Sequence, residues 1–205
     1  MEIKEAAANL AEKIEEASRG RDLFILAIDG RCASGKTSLA KELSERLDCN
    51  VIHADDFYLQ AFQRTKERYS EPGGNLDRER LAREILLPLK EGKSPLYRPF
   101  LCHSMSFGEE IRLPEKAIYI IEGSYSCHPE LRTFYDMTVF VTADPETQKQ
   151  RIRSRNGEER LADFIGKWIP LEERYFQAFD VMQNADAVVR VPAAQMQNAK
   201  CKVQN

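Results

Sequence analysis

Apolar and polar positions alternate in a readable order along the chain. Ile3, Ala6, Ala7, Leu10, Ile14 and Ala17 recur at helical spacing, which predicts an amphipathic helix over residues 1–20 that ends near Gly20. Leu23 to Ile28 is a short continuous apolar run closed by Asp29-Gly30, the pattern of a strand buried on both faces. A helix is predicted from Lys36 to about Leu47, then a strand at Val51–Ala54 and a helix containing Leu81 to Leu89. Further strands are predicted at Ala117–Ile121 and Thr138–Val141. Asp144-Pro145-Glu146 reads as a helix start, with a side-chain cap, a proline at the first helical position and a carboxylate in the first turn, and this helix should reach about Arg155. A helical stretch over residues 159–181 and a strand at Ala187–Val191 complete the series. Strands alternating with helices imply an α/β fold, a mostly parallel five-stranded sheet with helices on both faces.

Two stretches break the rhythm. Leu59 to Asn75 and Glu91 to Leu113 are loop-rich and carry or adjoin Pro72-Gly73-Gly74, Pro95, Pro99 and Pro114, so they are expected to form substrate-facing excursions. Neither is long enough for a separate domain, and the 205 residues are expected to form one domain ending in a polar tail over residues 192–205. A net charge of -3 argues against a broad nucleic-acid-binding face, so any attraction for phosphate must be local. The five cysteines (Cys32, Cys49, Cys102, Cys127, Cys201) have neither zinc-knuckle spacing nor an even count, which fits reduced thiols and a cytoplasmic setting. The acidic, amphipathic N-terminal segment does not resemble a signal peptide, and no apolar run is long enough to span a membrane, so no membrane partner is expected.

The chemistry is concentrated after the first strand. Gly30-Arg31-Cys32-Ala33-Ser34-Gly35-Lys36-Thr37 matches G-x-x-x-x-G-K-[ST] without a mismatch and lies between a buried strand and a helix, the context that this phosphate-binding loop requires. Glycines let the backbone wrap round phosphate oxygens, successive N–H groups point inward, and the helix N-terminus adds positive potential. Lys36 is expected to neutralise the β and γ phosphates of ATP and Thr37 to ligate Mg²⁺, with Ser38 completing the nucleotide-contacting set. The Asn-Lys-x-Asp element with which GTPases read guanine is missing from the sequence.

Three more elements follow in order. Ala54-Asp55-Asp56-Phe57-Tyr58 comes at the carboxyl end of the second strand, where crevices open in parallel sheets. Phosphoryl transfer to an alcohol needs a carboxylate to orient the hydroxyl and take its proton, and Asp55 is the candidate, close enough to the metal to be a possible further ligand. Ile120-Ile121-Glu122-Gly123 places Glu122 where a Walker-B-like acid can hold Mg²⁺ or its water. Arg151, Arg153, Arg155 and Arg160 cluster around Asn156-Gly157; an arginine-bearing helical hairpin could form a small lid, with Arg151 on the nucleotide and Arg153 and Arg155 on the transferring group. Phe57, Tyr58 and Tyr97 are candidates to stack on a flat ring, though aromatics beside loops equally cover cores.

With these elements in this order, the chain resembles the uridine kinase and phosphoribulokinase group of P-loop kinases over residues 23–191. The resemblance implies the P-loop NTPase fold, Asp55 as base, Glu122 as an aid to Mg²⁺ and the arginines as the lid. In uridine kinases an Asn-Phe-Asp-His-Pro stretch holds the ribose hydroxyls; here Asn75-Leu76-Asp77-Arg78-Glu79 stands in its place, which carries Asp77 over as a substrate contact or as the cap of the next helix. Tyr97-Arg98-Pro99-Phe100-Leu101-Cys102-His103 is similar to the family's Tyr-Asp-Phe-x-x-His segment, with the Asp replaced and one residue added, and it offers Tyr97, Arg98 and His103 to the acceptor. The implied activity is ATP-dependent phosphorylation of a hydroxyl on a small metabolite, with uridine or cytidine first. Pantothenate, nicotinamide riboside, a sugar phosphate or glycerate are alternative acceptors. A nucleotide-gated binding protein or metallochaperone with slow ATP hydrolysis is the reading from another class. The sequence leaves a homo-oligomer open.

Overall fold

The computed structural model describes residues 2–192; the tail from 193 onward, with Cys201, lies outside the described residues. The chain begins with α1 (Ile3–Ser18), β1 (Phe24–Gly30), α2 (Lys36–Ser44) and β2 (Cys49–His53). Two single 3-10 turns (Ala54–Phe57 and Ala61–Gln63) and α3 (Lys66–Ser70) make up the first excursion. A continuous helix follows: α4 (Arg78–Leu81), a π turn (Ala82–Leu86) and α5 (Leu87–Lys90). Next come four two-residue strands, β3 (Leu96–Tyr97), β4 (Phe100–Leu101), β5 (Ser106–Phe107) and β6 (Ile111–Arg112), then β7 (Ile118–Glu122) and α6 (Pro129–Arg132). The described residues close with β8 (Met137–Ala143), α7 (Pro145–Asn156), α8 (Glu158–Asp163), a second π turn (Phe164–Trp168), α9 (Ile169–Ala178) and β9 (Ala187–Val191).

The five long strands form one parallel sheet in the order β2-β7-β1-β8-β9. All seven residues of β1 are buried, as its unbroken apolar run predicts for a central strand. Side chains alternate across the sheet: Phe24, Leu26 and Ile28 pack with α1 and α2, whereas Ile25 and Ala27 face a second core built with residues of α4, α5 and α9. Helices therefore cover both faces. The stripe Ala6, Ala7, Leu10, Ala11 and Ile14 of α1 is buried on the α2 side.

Register matters most for the chemistry. Glu122, the last residue of β7, stands beside Ile28 of β1 on one side and beside His53 of β2 on the other. The carboxyl ends of three neighbouring strands thus open onto one crevice, where parallel sheets place their ligands. The Glu91–Leu113 excursion is not a plain loop: β3 pairs with β6 and β4 with β5, both antiparallel, so it folds as an interrupted hairpin. Pro95 and Pro99 cannot donate to a ladder, which keeps its strands too short for a period-two pattern to show in the sequence.

Candidate active site

The phosphate loop runs from the end of β1 to the start of α2, and it is held from behind by groups that the sequence did not single out. Asp29 is fully buried and accepts from the backbone N–H groups of Gly30 (2.6 Å), Tyr125 (3.1 Å) and Cys127 (2.9 Å) and from the Tyr175 hydroxyl (2.8 Å). Burial pushes its carboxyl above the usual range, and the hydrogen bonds oppose that shift. One side chain thereby joins the loop, the segment after β7 and α9. That segment turns at Gly123, whose φ of +146° and 2.7 Å clearance to Ala54 Cβ leave no room for a side chain.

A second brace comes from α9. Glu172 is buried; its carboxylate accepts from the Cys32 N–H at 2.9 Å and from the Ser124 hydroxyl at 2.7 Å. Glu173 receives both Nε (2.6 Å) and Nη2 (2.9 Å) of Arg31, whose Nη1 donates to Thr142. The Arg31 side chain is thus turned away from the cleft wall. The Trp168–Tyr175 stretch, which reads as ordinary helical packing, in fact carries these two clamps. Cys32 sits beneath Gln148, and burial followed by the Glu172 charge pushes its thiol up to about 12, so it stays protonated. Ser34 is buried too, its hydroxyl without a hydrogen-bond partner among the described residues.

Lys36 donates to the carbonyls of Gly30 (2.7 Å) and Arg31 (3.0 Å) and to Ser124 Oγ (3.2 Å). No carboxylate forms an ion pair with it among the described residues, and the buried Asp29 acts on it only through space. Thr37 Oγ1 lies 3.2 and 3.3 Å from the two carboxylate oxygens of Glu122. These are hard oxygen donors, with no His or Cys in the pair, and among the described residues no cluster of three His, Cys, Asp or Glu could hold a metal by itself. That donor set fits Mg²⁺, which takes few protein ligands and completes its shell with water and phosphate. His53 Nδ1 meets Glu122 Oε1 at 2.5 Å; this hydrogen bond holds the imidazole above its ordinary pKa and orients the carboxylate.

A cleft of about 730 Å³ opens over this loop. Of the predicted nucleotide and metal residues, Cys32, Ala33, Gly35, Lys36, Thr37, Ser38, Asp55, Glu122 and Arg151 line it, and so does Tyr58. Gly30, Arg31 and Ser34 support the loop from behind. The 3-10 turn separates the two aspartates: Asp55 faces the cleft and accepts from the Tyr58 hydroxyl at 2.9 Å, whereas Asp56 is half-buried and receives the Tyr97 hydroxyl at 3.2 Å. Burial raises the Asp56 carboxyl. Arg80, fully buried, lies 4.5 Å from the Phe57 ring and 5.1 Å from that of Phe107 and donates to the carbonyls of Asp56 and Arg98, tying the hairpin to the Asp55 turn.

Several expected contacts are not on the cleft wall. Asp77 is buried and caps α4, its carboxylate accepting from the Arg80 N–H at 3.0 Å. Tyr97 is buried against Phe57, Arg98 donates to the Gly108 carbonyl, and His103 is exposed in the turn between β4 and β5. The cleft wall also includes Arg64, a loop cation that the sequence offers to a phosphorylated acceptor, together with Tyr69, Asn75, Cys102, Tyr125 and Trp168. In the helical hairpin, Arg151 and Arg155 face the cleft, being four residues apart on one helix face. Arg153 is not on the cleft wall; it is exposed and pairs with Glu158 at 2.6 Å. The π turn adds Phe164 and Trp168 to the same wall, and Lys167 stacks over Trp168 (4.3 Å) and Tyr69 (5.4 Å), bridging the hairpin to the first excursion.

The model of the AAA domain family matches residues 26–167 of this chain. Among curated proteins, the chain is similar to uridine-cytidine kinase 2-B of Danio rerio, 24% identical over 92% of this chain and 80% of that protein. Uridine-cytidine kinase B of Dictyostelium discoideum is 28% identical, over 84% of this chain and 76% of that protein. Among solved structures, that of "a possible uridine kinase" from Bacillus stearothermophilus superposes with a TM-score of 0.69 at 24% identity, covering 92% of this chain and 100% of that one; it bears on the fold, which is that of the α/β P-loop NTPases.

Proposed function

This chain belongs to the AAA domain family, and we propose that it works as a small-molecule kinase, transferring the γ-phosphoryl group of ATP to a hydroxyl, with a pyrimidine nucleoside such as uridine or cytidine as first acceptor. One observation carries this reading: the Lys36 ammonium group, the Thr37–Glu122 oxygen pair and the Asp55 carboxylate lie on the wall of a single cleft. The similarity to uridine-cytidine kinases supports the choice of acceptor class.

In this scheme the loop's N–H groups and Lys36 hold the phosphate chain, and Arg151 and Arg155 offer guanidinium groups where negative charge spreads. Asp55 orients the acceptor hydroxyl and takes its proton. The acceptor oxygen bonds to the γ-phosphorus as the bond from that phosphorus to the β–γ bridging oxygen breaks, and ADP keeps the electron pair. Thr37 and Glu122 would hold Mg²⁺, which supplies neutralisation of phosphate charge when bound. Phe164 and Trp168 exclude water from the acceptor end.

The test is incubation of the chain with Mg·ATP and, in turn, uridine, cytidine, nicotinamide riboside, pantothenate, glycerate and ribulose 5-phosphate, following ADP and product mass. Acceptor-dependent ADP release with uridine or cytidine and a product one phosphoryl group heavier is the expected result. Turnover with another member of the panel would keep the kinase and replace the nucleoside. Bound ATP with no acceptor-dependent turnover would favour the nucleotide-gated binding protein.

A further inference from the structure

The cleft has an end that phosphoryl transfer leaves unexplained. Asp55 follows β2 at one edge of the sheet, and Ile3, the first residue of α1, shares the Gly35 neighbourhood and a core cluster with Val191 of β9 at the other edge. Four inter-strand steps separate β2 from β9, about 19 Å at the usual spacing. Ile3 nevertheless lines the same cleft as Asp55.

Its position follows from the stripe on α1. Ala6, Ala7, Leu10, Ala11 and Ile14 are all at most 7% exposed, packed on the core that includes α2. Ile3 continues that stripe by one turn, past the point where α2 begins, and so emerges half-buried over the phosphate loop. A methyl group on Gly35, where φ is +110°, would come within 2.5 Å of Ile3 Cδ1 and 3.9 Å of Val191 Cγ2. The contact requires a residue without a side chain, and Ile3 is among the residues that line the cleft.

We infer that Ile3 forms the apolar wall against which the nucleobase of the bound nucleoside triphosphate packs. The inference rests on the nucleotide reading of the loop. The terminal phosphate must point toward Asp55, because the acceptor hydroxyl is held there. The nucleoside must then leave the loop in the opposite direction, toward β8 and β9, where the half-buried Ile3 supplies an aliphatic surface on the cleft wall. A flat heteroaromatic ring gains by covering such a surface, and inorganic phosphate has no group that reaches it.

The test compares Mg·ATP with Mg·tripolyphosphate, which has the phosphate chain but no base, by equilibrium binding to the wild type, Ile3→Ala and Ile3→Leu. Truncation to alanine removes about half of the contact of a buried aliphatic side chain, so Ile3→Ala should weaken ATP about 5-fold and leave tripolyphosphate within about 2-fold, while Ile3→Leu should keep ATP affinity. An equal loss for both ligands would overturn the inference and make Ile3 a prop for Gly35. Unchanged ATP affinity in Ile3→Ala would overturn it as well. A wild type that binds neither ligand would refute the inference through its foundation, together with the kinase reading; ATP binding without acceptor turnover would touch only the latter.

Discussion

Asp55 and Asp56 are adjacent in sequence and opposite in role. On a 3-10 turn successive side chains point about a third of a turn apart, so one aspartate reaches the cleft and the other is drawn back to Tyr97 and the Arg80 network. Replacing Asp55 by asparagine keeps the shape and removes the proton acceptor. We expect Asp55→Asn to lower kcat by about 10²- to 10⁴-fold while the Kd for ATP moves less than about 2-fold; acceptor phosphorylation at the wild-type rate would show that the base is elsewhere. The aspartate pair was visible in the sequence as a candidate, and the strand end before it gave the reason. For the arginines the sequence carries more: four-residue spacing puts Arg151 and Arg155 on one helix face and Arg153 on another.

Among the elements, α9 and α6 show how supporting roles escape a linear reading. Glu172 and Glu173 look like solvated helix positions, yet they hold the Cys32 amide and Arg31, 140 and 142 residues away in sequence. Nothing local marks a carboxylate whose partners arrive only through folding. His128 at the N-terminus of α6 is similar: it accepts from the Glu130 N–H at 3.3 Å, stacks on Tyr175 and meets Phe179 edge-on. Burial first, and the Arg78 charge second, lower its pKa from 6.5, so the folded state favours the neutral ring. Its contribution is complete above pH 6.5 and is lost as pH falls through the depressed folded value. Thermal unfolding at pH 7.5 and 5.5 should therefore show a larger acid-induced fall in Tm for the wild type than for His128→Asn, in which the amide can still cap the helix. Equal falls would mean that protonation of His128 is not coupled to folding.

Across the whole molecule, strand order is what assembles the site, since the loop after β1, Glu122 of β7 and the Asp55 turn after β2 meet because β7 lies between β1 and β2. A ligand that engages this assembly should stabilise the entire fold. Mg·ATP at about 100 times its Kd is expected to add about 2.7 kcal/mol, read as a rise in Tm, and Lys36→Ala should abolish most of that rise; an equal rise in both proteins would refute the role given to Lys36. The sequence by itself determined the α/β alternation, the position of the phosphate loop, the cap at Asp144 and the candidate acids Asp55 and Glu122, because each is written in local periodicity or in a contiguous motif. Only the tertiary structure decided that Asp29, Glu172 and Glu173 brace the loop, that Asp77, Tyr97, Arg98 and His103 stay off the cleft wall, and that Ile3 reaches it. Those outcomes depend on contacts between segments distant in sequence, whose register is set by packing of the whole sheet and leaves no mark in the spacing of neighbouring residues.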